Sequence, residues 1–202
     1  MALRGCKVSA KESDGVGSVG RIEAGIYGSE QVMSLIHIRI EDSGNPGERS
    51  VIRAVNTAAF GGSEEADLVD KLRAEHALIS LVGELNAAVV GHIMFSRMWI
   101  NIPAGSIAAV ALAPVAVLPE YQRRGIGGLL IRHGLELLRD RGERIVIVVG
   151  HPNYYPRFGF STEKAKSLKS PFPPEAFMAM ELSTGALDGI HGTVVYPAAF
   201  GI

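Results

Sequence analysis

The sequence predicts an α/β domain with helices packed on a central sheet, and three observations indicate this class. Of the 202 residues, 47% are hydrophobic and 20% are charged, a composition that can bury a core. Residues 77–95 contain two strand-like runs joined by a short turn region, which is typical of an antiparallel hairpin. Residues 106–149 have the pattern strand, helix, strand, and such a unit places its two strands in parallel. The length favours a single domain.

The charge balance argues against several classes of partner. The chain has 20 Lys and Arg residues against 21 Asp and Glu, a net charge of −1. That balance provides no broad basic field for a nucleic-acid backbone or an anionic membrane. No stretch approaches the ~20 apolar residues of a membrane span, and the N-terminus lacks the apolar core of a secretory signal. We expect a cytoplasmic protein without a nucleic-acid or membrane partner.

Metal and disulfide chemistry lack suitable residues in the sequence. Cys6 is the single cysteine, so an internal disulfide is excluded. Neither a CxxC nor an HExxH spacing occurs, and these are the spacings that structural zinc and zincin sites use. We therefore expect no metal.

The N-terminal residues differ in composition from the remainder of the chain. Five glycines are scattered over residues 15–28 among Ser, Lys and Glu, without helical or strand periodicity. We expect a flexible N-terminal extension over residues 1–32 and a folded domain over 33–202. Our hypothesis is that Met33 is a start site. Loss of activity on deletion of residues 1–32 would contradict it.

The first half of the domain predicts a strand, two helices and a hairpin. Apolar and polar residues alternate in the strand regions, whereas apolar residues recur at helical spacing in the helix regions. Ser63 is a suitable N-cap for the second helix. The predicted bounds are a strand at 33–40, a turn at 45–47, helices at 50–59 and from Ser63 to between 73 and 76, strands at 77–82 and 87–95, and a loop at 100–105.

The second half predicts a strand, a helix and a further strand, followed by shorter strands. Residues 106–117 are almost wholly apolar, as in a central strand, and Pro114 predicts a bulge because proline supplies no N–H. An apolar stripe at helical spacing predicts a helix over 125–141. A buried strand follows over 144–149. Later strands are expected at Phe160 and over 177–182.

The turn between the central strand and this helix is basic and rich in glycine. Free N–H groups and the helix dipole favour an anion there, and a phosphate is the expected ligand. Arg123 and Arg124 add charge, while Gly125 and Gly127 allow close approach. The alternative, that the glycines only shape the turn and the arginines are solvated, stays open. The dinucleotide fingerprint needs glycine where Leu130 stands, and the Walker pattern needs Gly-Lys-Ser or Gly-Lys-Thr from that position, so both are excluded.

Two motifs carry a specific resemblance. The first is Gln122-Arg123-Arg124-Gly125-Ile126-Gly127, and the second is His151-Pro152-Asn153-Tyr154-Tyr155-Pro156-Arg157-Phe158-Gly159-Phe160. Together with the Leu-Ala-Pro-Val-Ala-Val run at 112–117, they make the sequence resemble N-acetyltransferases of the GNAT superfamily, in particular the YhbS-like subgroup of predicted acetyltransferases. The resemblance covers residues 35–200. Two motifs in this order, separated by a helix and a strand, are more specific than either alone.

The resemblance implies a fold and a co-substrate. The GNAT fold has a mixed, mostly antiparallel central sheet, flanked by helices, in which the fourth and fifth strands form a parallel, splayed pair. Acetyl-CoA is implied as co-substrate, with its pantetheine arm along the backbone of Val115, Ala116 and Val117 and an N–H near Val117 facing the oxyanion. The other residues implied to bind the cofactor are Gln122, Arg123, Arg124, Gly125, Ile126, Gly127, Gly128 and Asn153.

The resemblance also implies a direct-transfer mechanism. Tyr155, five residues before Phe160, would protonate the departing CoA thiolate, which suits a phenol of reference pKa ~10 and a thiol near ~8.5. A neutral amine would attack the thioester, and no evident nucleophile supports a covalent intermediate. Glu65 is the candidate general base, while Glu64, His151 and a water chain stay open.

The acceptor is expected to be a primary amine on a small molecule or a protein. Three segments, residues 60–65, 99–102 and 166–177, are expected to line its site. Other functions stay open, namely a non-catalytic acyl-CoA-binding regulatory module, transfer of a longer acyl group, and a hydroxyl acceptor. A homodimer also stays open, because no residue pattern fixes the oligomeric state.

Overall fold

The protein is represented by a computed structural model that describes residues 35–202. The expected extension over residues 1–32 and the proposed start at Met33 lie outside the described residues, so both stay predictions. The first strand begins at His37, and the earlier part of the predicted strand at 33–40 is not in the sheet where it is described.

The centre of the fold is one mixed sheet of eight strands. The strands are β1 (His37–Ile40), β2 (Ala77–Leu85), β3 (Ala88–Ile102), β4 (Gly105–Val117), β5 (Ile145–Val149), β6 (Leu168–Lys169), β7 (Phe177–Glu181) and β8 (Gly192–Val195). Strands β1, β2, β3, β4, β5 and β7 lie side by side in that order, while β8 pairs with β3 and β6. The β4–β5 and β6–β8 pairs are parallel and the others antiparallel. The predicted fold class is confirmed.

Helices cover both faces of the sheet. These are α1 (Pro46–Phe60), α2 (Glu64–Glu75), α3 (Ile126–Asp140) and the one-turn α4 (Thr162–Ala165). Helix α3 contributes Ile126, Leu130 and Leu138 to the core on one face, and α1 and α2 contribute Ile52 and Leu72 to the core on the other. The sheet is therefore buried between two helical layers, which explains its near-continuous apolar strands.

A glycine lets α3 approach the sheet closely. A Cβ atom at Gly134 would lie 2.1 Å from the ring of Phe95, a side chain of β3 that is fully buried. No side chain can occupy that space, so the close contact between helix and sheet depends on glycine at this position.

Helix α1 starts earlier than the predicted residue 50. Residues 45–47, interpreted as a turn, are its cap, because the Asn45 side-chain oxygen accepts hydrogen bonds from the N–H groups of Gly47 at 2.9 Å and Glu48 at 3.3 Å. Pro46 at the first helical position needs no hydrogen-bond partner for its nitrogen, so a proline is well suited there. Residues 45–47, which the sequence analysis interpreted as a turn, therefore mark the start of α1.

The predicted loop at 100–105 is wrong. Strand β3 continues to Ile102 and β4 begins at Gly105, so the two strands form a tight hairpin. Residues Trp99 to Asn101 also pair with β8 on the other side of β3. The segment is therefore held in a strand by β4 on one edge and by β8 on the other, although it contains polar residues. The pairing with β8 joins distant parts of the chain, so local sequence does not predict it.

The C-terminal strands also differ from the prediction. Phe160 lies outside a strand, and its neighbour Ser161 forms a single antiparallel bridge with Ala179 in β7. The strand predicted over 177–182 is confirmed as β7. The short strands β6 and β8 were not predicted, because two and four residues are too few to show a periodic pattern.

A buried polar cluster lies between the sheet and helices α1 and α2. His92 on β3 is fully buried; its Nδ1 is 3.1 Å from Asn56 Nδ2 and its Nε2 is 2.9 Å from the Ser80 hydroxyl. Ser80 also donates to Glu41, which accepts from Arg73 Nε at 2.7 Å. Burial, together with the positive charge of Arg73, lowers the pKa of His92 to about 3, so its imidazole is neutral in the folded protein.

Candidate functional site

The site begins where β4 and β5 separate. The two strands pair in parallel only at Val110 with Val146 and Ala111 with Ile147. On its other edge β4 pairs with β3, where Ile93 is opposite Val115 and Phe95 is opposite Leu112. One residue of β3 therefore lies between these two pairs, whereas two residues of β4 do. The extra residue is a bulge next to Pro114, as the sequence predicts. Beyond it, β4 runs on without β5 as a neighbour, and a gap opens in the sheet.

A large cavity lies on one side of this gap. It has a volume of about 670 Å³ and lies between the end of β4, the first turn of α3 and the segment at 151–158. The residues that line it are Ala59, Phe60, Val115, Val117, Tyr121, Gln122, Arg123, Gly125, Ile126, Gly127, Gly128, Leu129, Arg132, His151, Asn153, Tyr154, Tyr155, Arg157 and Phe158.

Most of the predicted cofactor-binding residues meet at this cavity. The ones that line it are Val115, Val117, Asn153 and every residue from Gln122 to Gly128 except Arg124. Ala116 is fully buried, pairs with His92 across the sheet and lines neither cavity of the site, so only its backbone is available for the predicted role. Arg124 does not line the cavity, and its guanidinium lies 5.8 Å from the ring centre of Tyr121.

The turn before α3 is shaped to present backbone N–H groups. Arg123 and Gly125 have positive φ angles of 61° and 89°, and Gly125 is the residue before the helix. The Gln122 side chain donates to the Val117 carbonyl oxygen at 2.9 Å, which ties the turn to the end of β4. In the first helical turn the N–H groups have no acceptor within the helix, and the helix dipole makes this end positive. The turn can therefore bind an anion.

Two further arginines at the cavity were missed by the sequence prediction. Arg132 on α3 lies with its guanidinium carbon 5.0 Å from the ring centre of Phe158, and Arg157 lies 4.2 Å from that of Tyr154. Both line the cavity. Arg157 belongs to the second motif, and Arg132 lies two helical turns from Gly125, so helical spacing from the motif could have indicated it. Together with Arg123 they make the cavity attractive to polyanions.

Tyr155 is held rigidly at the back of the large cavity. It is 4% exposed, and its ring packs edge-on against Tyr154 at 5.2 Å and Phe160 at 5.8 Å between centres. A Cβ at Gly150 would lie 2.2 Å from the Tyr155 ring, so the glycine leaves the space that the ring occupies. The sequence predicts Tyr155 as a site residue, and the structure positions it by packing on three sides.

A smaller cavity lies on the other side of the gap. Its volume is about 60 Å³, and it shares Phe60, Val115 and Tyr155 with the large cavity. These three side chains therefore form the boundary between the two spaces. The remaining lining residues are Glu65, Leu68, Ala111, Leu112, Ala113, Pro114, Ile147, Val149, Tyr196 and Phe200. Of the predicted acceptor segments, 60–65 contributes to this cavity, whereas 99–102 and 166–177 do not.

Glu65 provides a carboxylate in the small cavity. It lies in the first turn of α2 and is partly buried. Burial raises the pKa of Glu65, and the adjacent Glu64 raises it further, against the opposing effect of a backbone N–H. Among the alternative bases, Glu64 is exposed and lines neither cavity, and His151 is exposed and lines the large one.

The described residues contain neither a metal-binding cluster nor a helix that could span a membrane. Within residues 35–202, no group of three or more His, Cys, Asp and Glu side chains is arranged to hold a metal ion. Among the described helices, none combines the length and apolar character that crossing a membrane requires.

Comparison with known proteins identifies the family. The model of the acetyltransferase (GNAT) domain matches residues 45–162, more than half of the chain. The chain belongs to the GNAT acetyltransferase family. Its relatives include YjhQ of Escherichia coli, described as an uncharacterised N-acetyltransferase, which is 44% identical over 65% of this chain and 76% of the relative. YhbS of the same organism, described in the same way, is 31% identical over 74% of this chain and 90% of the relative.

Two solved structures of GNAT proteins resemble this one closely. The crystal structure of E. coli YhbS in complex with CoA has a TM-score of 0.74 and 30% identity, over 83% of this chain and 92% of that one. A GNAT acetyltransferase of Brucella melitensis in complex with acetyl-CoA has a TM-score of 0.67 and 37% identity, over 82% and 97% of the two chains. The predicted resemblance to GNAT proteins of the YhbS-like group is confirmed.

Proposed function

We propose that this protein transfers an acetyl group from acetyl-CoA to a primary amine by direct attack. The observation that carries the proposal is the position of Tyr155 at the boundary between two cavities, one basic and large, the other small with a carboxylate from Glu65. A two-substrate reaction needs two binding spaces that meet at the reacting atoms, with an acid and a base on opposite sides.

The large cavity suits acetyl-CoA. The N–H groups at the start of α3, with Arg123, Arg132 and Arg157, match the phosphates of this ligand. The stretch of β4 beyond Ala111 has no β5 partner, so its backbone groups are available to pair with the amide-containing pantetheine arm. Relatives of known structure that carry CoA or acetyl-CoA support this assignment.

The two ionisable side chains have complementary roles in the proposed reaction. Glu65 accepts the proton that the amine loses, and its raised pKa makes it a stronger base than an exposed glutamate. The amine nitrogen forms a bond to the thioester carbonyl carbon, the carbon–sulfur bond breaks, and the sulfur receives a proton from Tyr155. A backbone N–H near Val117 stabilises the oxyanion that forms in between.

The same proposal includes the partners of the reaction. The acceptor is a primary amine, and no nucleic acid or membrane takes part. The cytoplasmic location, the division into residues 1–32 and 33–202, and a homodimer stay predictions of the sequence.

Titration calorimetry tests the proposal at its first step. Acetyl-CoA and CoA should both bind to the full chain, and pantetheine without phosphates should bind far more weakly, because the arginines and the α3 N-terminus then have no anion to contact. Thiol release on addition of primary amines then tests transfer. Absence of CoA binding would overturn the proposal, and binding without transfer to any amine would favour the non-catalytic acyl-CoA-binding module.

A further inference from the structure

One side chain at the boundary between the two cavities has no role in the proposed reaction. Phe60, the last residue of α1, lines both cavities together with Val115 and Tyr155. Tyr155 is the general acid of the proposal, and Val115 belongs to the stretch of β4 that pairs with the pantetheine arm. The side chain of Phe60 has no polar atom, so any contribution that it makes to the reaction is one of shape.

The Phe60 ring has surface available to a ligand. It is partly exposed, whereas Tyr155 is buried and packed on three sides. Among the described residues, Phe60 belongs to neither apolar core and is not one of the partly buried side chains that pack against them. The ring is therefore a wall of the two cavities rather than a part of the core.

The proposed reaction leaves one direction at the reacting carbon unassigned. In the tetrahedral intermediate, this carbon is bonded to the sulfur, the oxyanion, the amine nitrogen and the carbon chain of the acyl group. The sulfur faces Tyr155, the oxyanion faces the backbone near Val117, and the nitrogen enters from the side of Glu65. Phe60 is the boundary side chain that is left to face the acyl carbon chain.

The space beyond this boundary is small. At about 60 Å³, the small cavity has room for roughly four to six water-sized groups. The acyl methyl group and the end of the acceptor have to share that room. The wall contributed by β4 and β5 includes Ala111 and Ile147, which are buried in the core and cannot move aside without disturbing its packing. Each methylene group added to the acyl chain would therefore press on the Phe60 ring.

We propose that Phe60 sets the length of the acyl group, so that the protein selects acetyl-CoA over propionyl-CoA and butyryl-CoA. The ring closes the space into which a longer carbon chain would extend. This inference rests on the proposed acetyl transfer, because it names the residue that selects the acyl donor of the same site.

Titration calorimetry without any amine tests the inference on the full chain. The ligands are acetyl-CoA, propionyl-CoA and butyryl-CoA, with CoA as the reference, and the measured quantity is the ratio of their dissociation constants. In the wild type, butyryl-CoA should bind about tenfold or more weakly than acetyl-CoA, as expected when extra methylene groups enter a filled space. Propionyl-CoA should lie between them.

Two variants of Phe60 should move this ratio in opposite directions. Phe60→Ala removes the ring, so butyryl-CoA should bind at least as tightly as acetyl-CoA. Phe60→Trp enlarges the ring system and should increase the discrimination against propionyl-CoA and butyryl-CoA. If Phe60→Ala does not fold, the Trp variant alone still tests the direction of the change.

Leu129→Ala is the matched control. Leu129 is also apolar and partly exposed, but it lines only the large cavity. Its truncation should change the affinities for acetyl-CoA and butyryl-CoA by the same factor and leave their ratio at the wild-type value. An equal shift of the ratio in Leu129→Ala and Phe60→Ala would mean that any enlargement of the site admits longer chains, which overturns the specific role of Phe60.

The remaining outcomes separate this inference from the proposed function. If the wild type binds the three thioesters equally, or if the ratio stays at the wild-type value in both Phe60 variants, the ring does not confine the acyl chain. The inference then fails alone, and thiol release from acetyl-CoA in the presence of primary amines still tests the transferase. If neither CoA nor acetyl-CoA binds, both fail.

Discussion

Tyr155 is the residue on which the proposed chemistry depends most directly. It is buried and lies between the two cavities, where a phenol can protonate a departing thiolate. Tyr155→Phe should lower kcat by about a hundredfold or more, the range for loss of a general acid, while the dissociation constant for CoA stays the same. Steady-state thiol release and calorimetry measure the two quantities.

Tyr154 provides the comparison for this variant. It lines only the large cavity, and a Cβ at Gly127 would lie 3.0 Å from its hydroxyl oxygen, which places that hydroxyl beside the α3 turn. Tyr154→Phe should therefore act on CoA affinity rather than on the chemical step. Equal loss of kcat in both variants would assign the two tyrosines to packing and remove the general acid.

Glu65 should determine the acidic side of the pH profile. A base works only when deprotonated, so the rate falls as the pH drops through its pKa, which burial holds above the ordinary glutamate value. In Glu65→Gln, kcat should fall about a hundredfold and this dependence on acid should disappear. The measurement is kcat against pH, with the amine saturating at each pH.

The neighbouring glutamate is a matched control with a predicted sign. Glu64 is exposed, and its charge helps to raise the pKa of Glu65. Glu64→Gln should keep the acidic limb and move it to lower pH, since a repelling charge is removed. If Glu65→Gln retains the limb, another group, such as a water chain, removes the proton.

At the scale of elements, the end of β5 and the segment after it position Tyr155. Gly150 follows β5 directly, and an added Cβ would lie 2.2 Å from the Tyr155 ring. Gly150→Ala should displace the ring, lower the stability by about 1–3 kcal/mol as overpacking does, and lower kcat although Tyr155 is intact. In a Tyr155→Phe background the same change should have little further effect on kcat.

This prediction is tested by measuring thermal unfolding and kcat for the wild type, Gly150→Ala, Tyr155→Phe and the double variant. Gly62→Ala is the control for stability, because an added methyl there meets no atom within 4 Å. Additive losses of kcat in the double variant would mean that Gly150 acts independently of Tyr155, which contradicts the positioning role.

The central elements of the site could be predicted from the sequence because their signals are local. Pro114 cannot complete a strand ladder, so the bulge in β4 follows from one residue. The α3 stripe and Gly125 define a helix and its start within a few residues. The two motifs then bring the same turn and Tyr155 to one cavity, as the resemblance implies.

What the sequence did not predict depends on contacts between distant parts of the chain. The segment at 99–101 pairs on one edge with β4 and on the other with β8, which comes from the far end of the described chain. Tyr196 reaches the small cavity for a similar reason, since it follows β8. No local pattern contains this information. Arg132 differs, because its helical spacing from Gly125 was available in the sequence.

At the scale of the whole molecule, a structural polar cluster lies apart from both cavities, since Asn56, Ser80 and His92 line neither of them. The large cavity opens beside α3, whereas the polar cluster around His92 lies on the α1 and α2 face. Buried polar groups are usually hydrogen-bonded, and here both ring nitrogens of His92 have a partner, one in Asn56 and one in Ser80, across three elements. The cluster therefore joins α1, β2 and β3.

This cluster predicts how stability depends on pH. The pKa of His92 is about 3 in the folded chain, below the unfolded value near 6.5. Between these values the unfolded chain binds one more proton, so the free energy of unfolding should fall as the pH drops below ~6.5, by up to about 1.4 kcal/mol per pH unit. The other charged groups of the cluster are Glu41 and Arg73, which reach His92 through Ser80.

Chemical unfolding between pH ~6.5 and ~5 isolates this effect, because carboxylates titrate mostly below that window. His92→Gln should lower the stability at neutral pH, since the ring contacts Asn56 and Ser80, and should also flatten the pH dependence. His191→Gln changes an exposed histidine and should retain the wild-type slope. If His92→Gln kept that slope, the proton taken up on unfolding would belong to another group, and the neutral buried imidazole would not be what couples stability to pH.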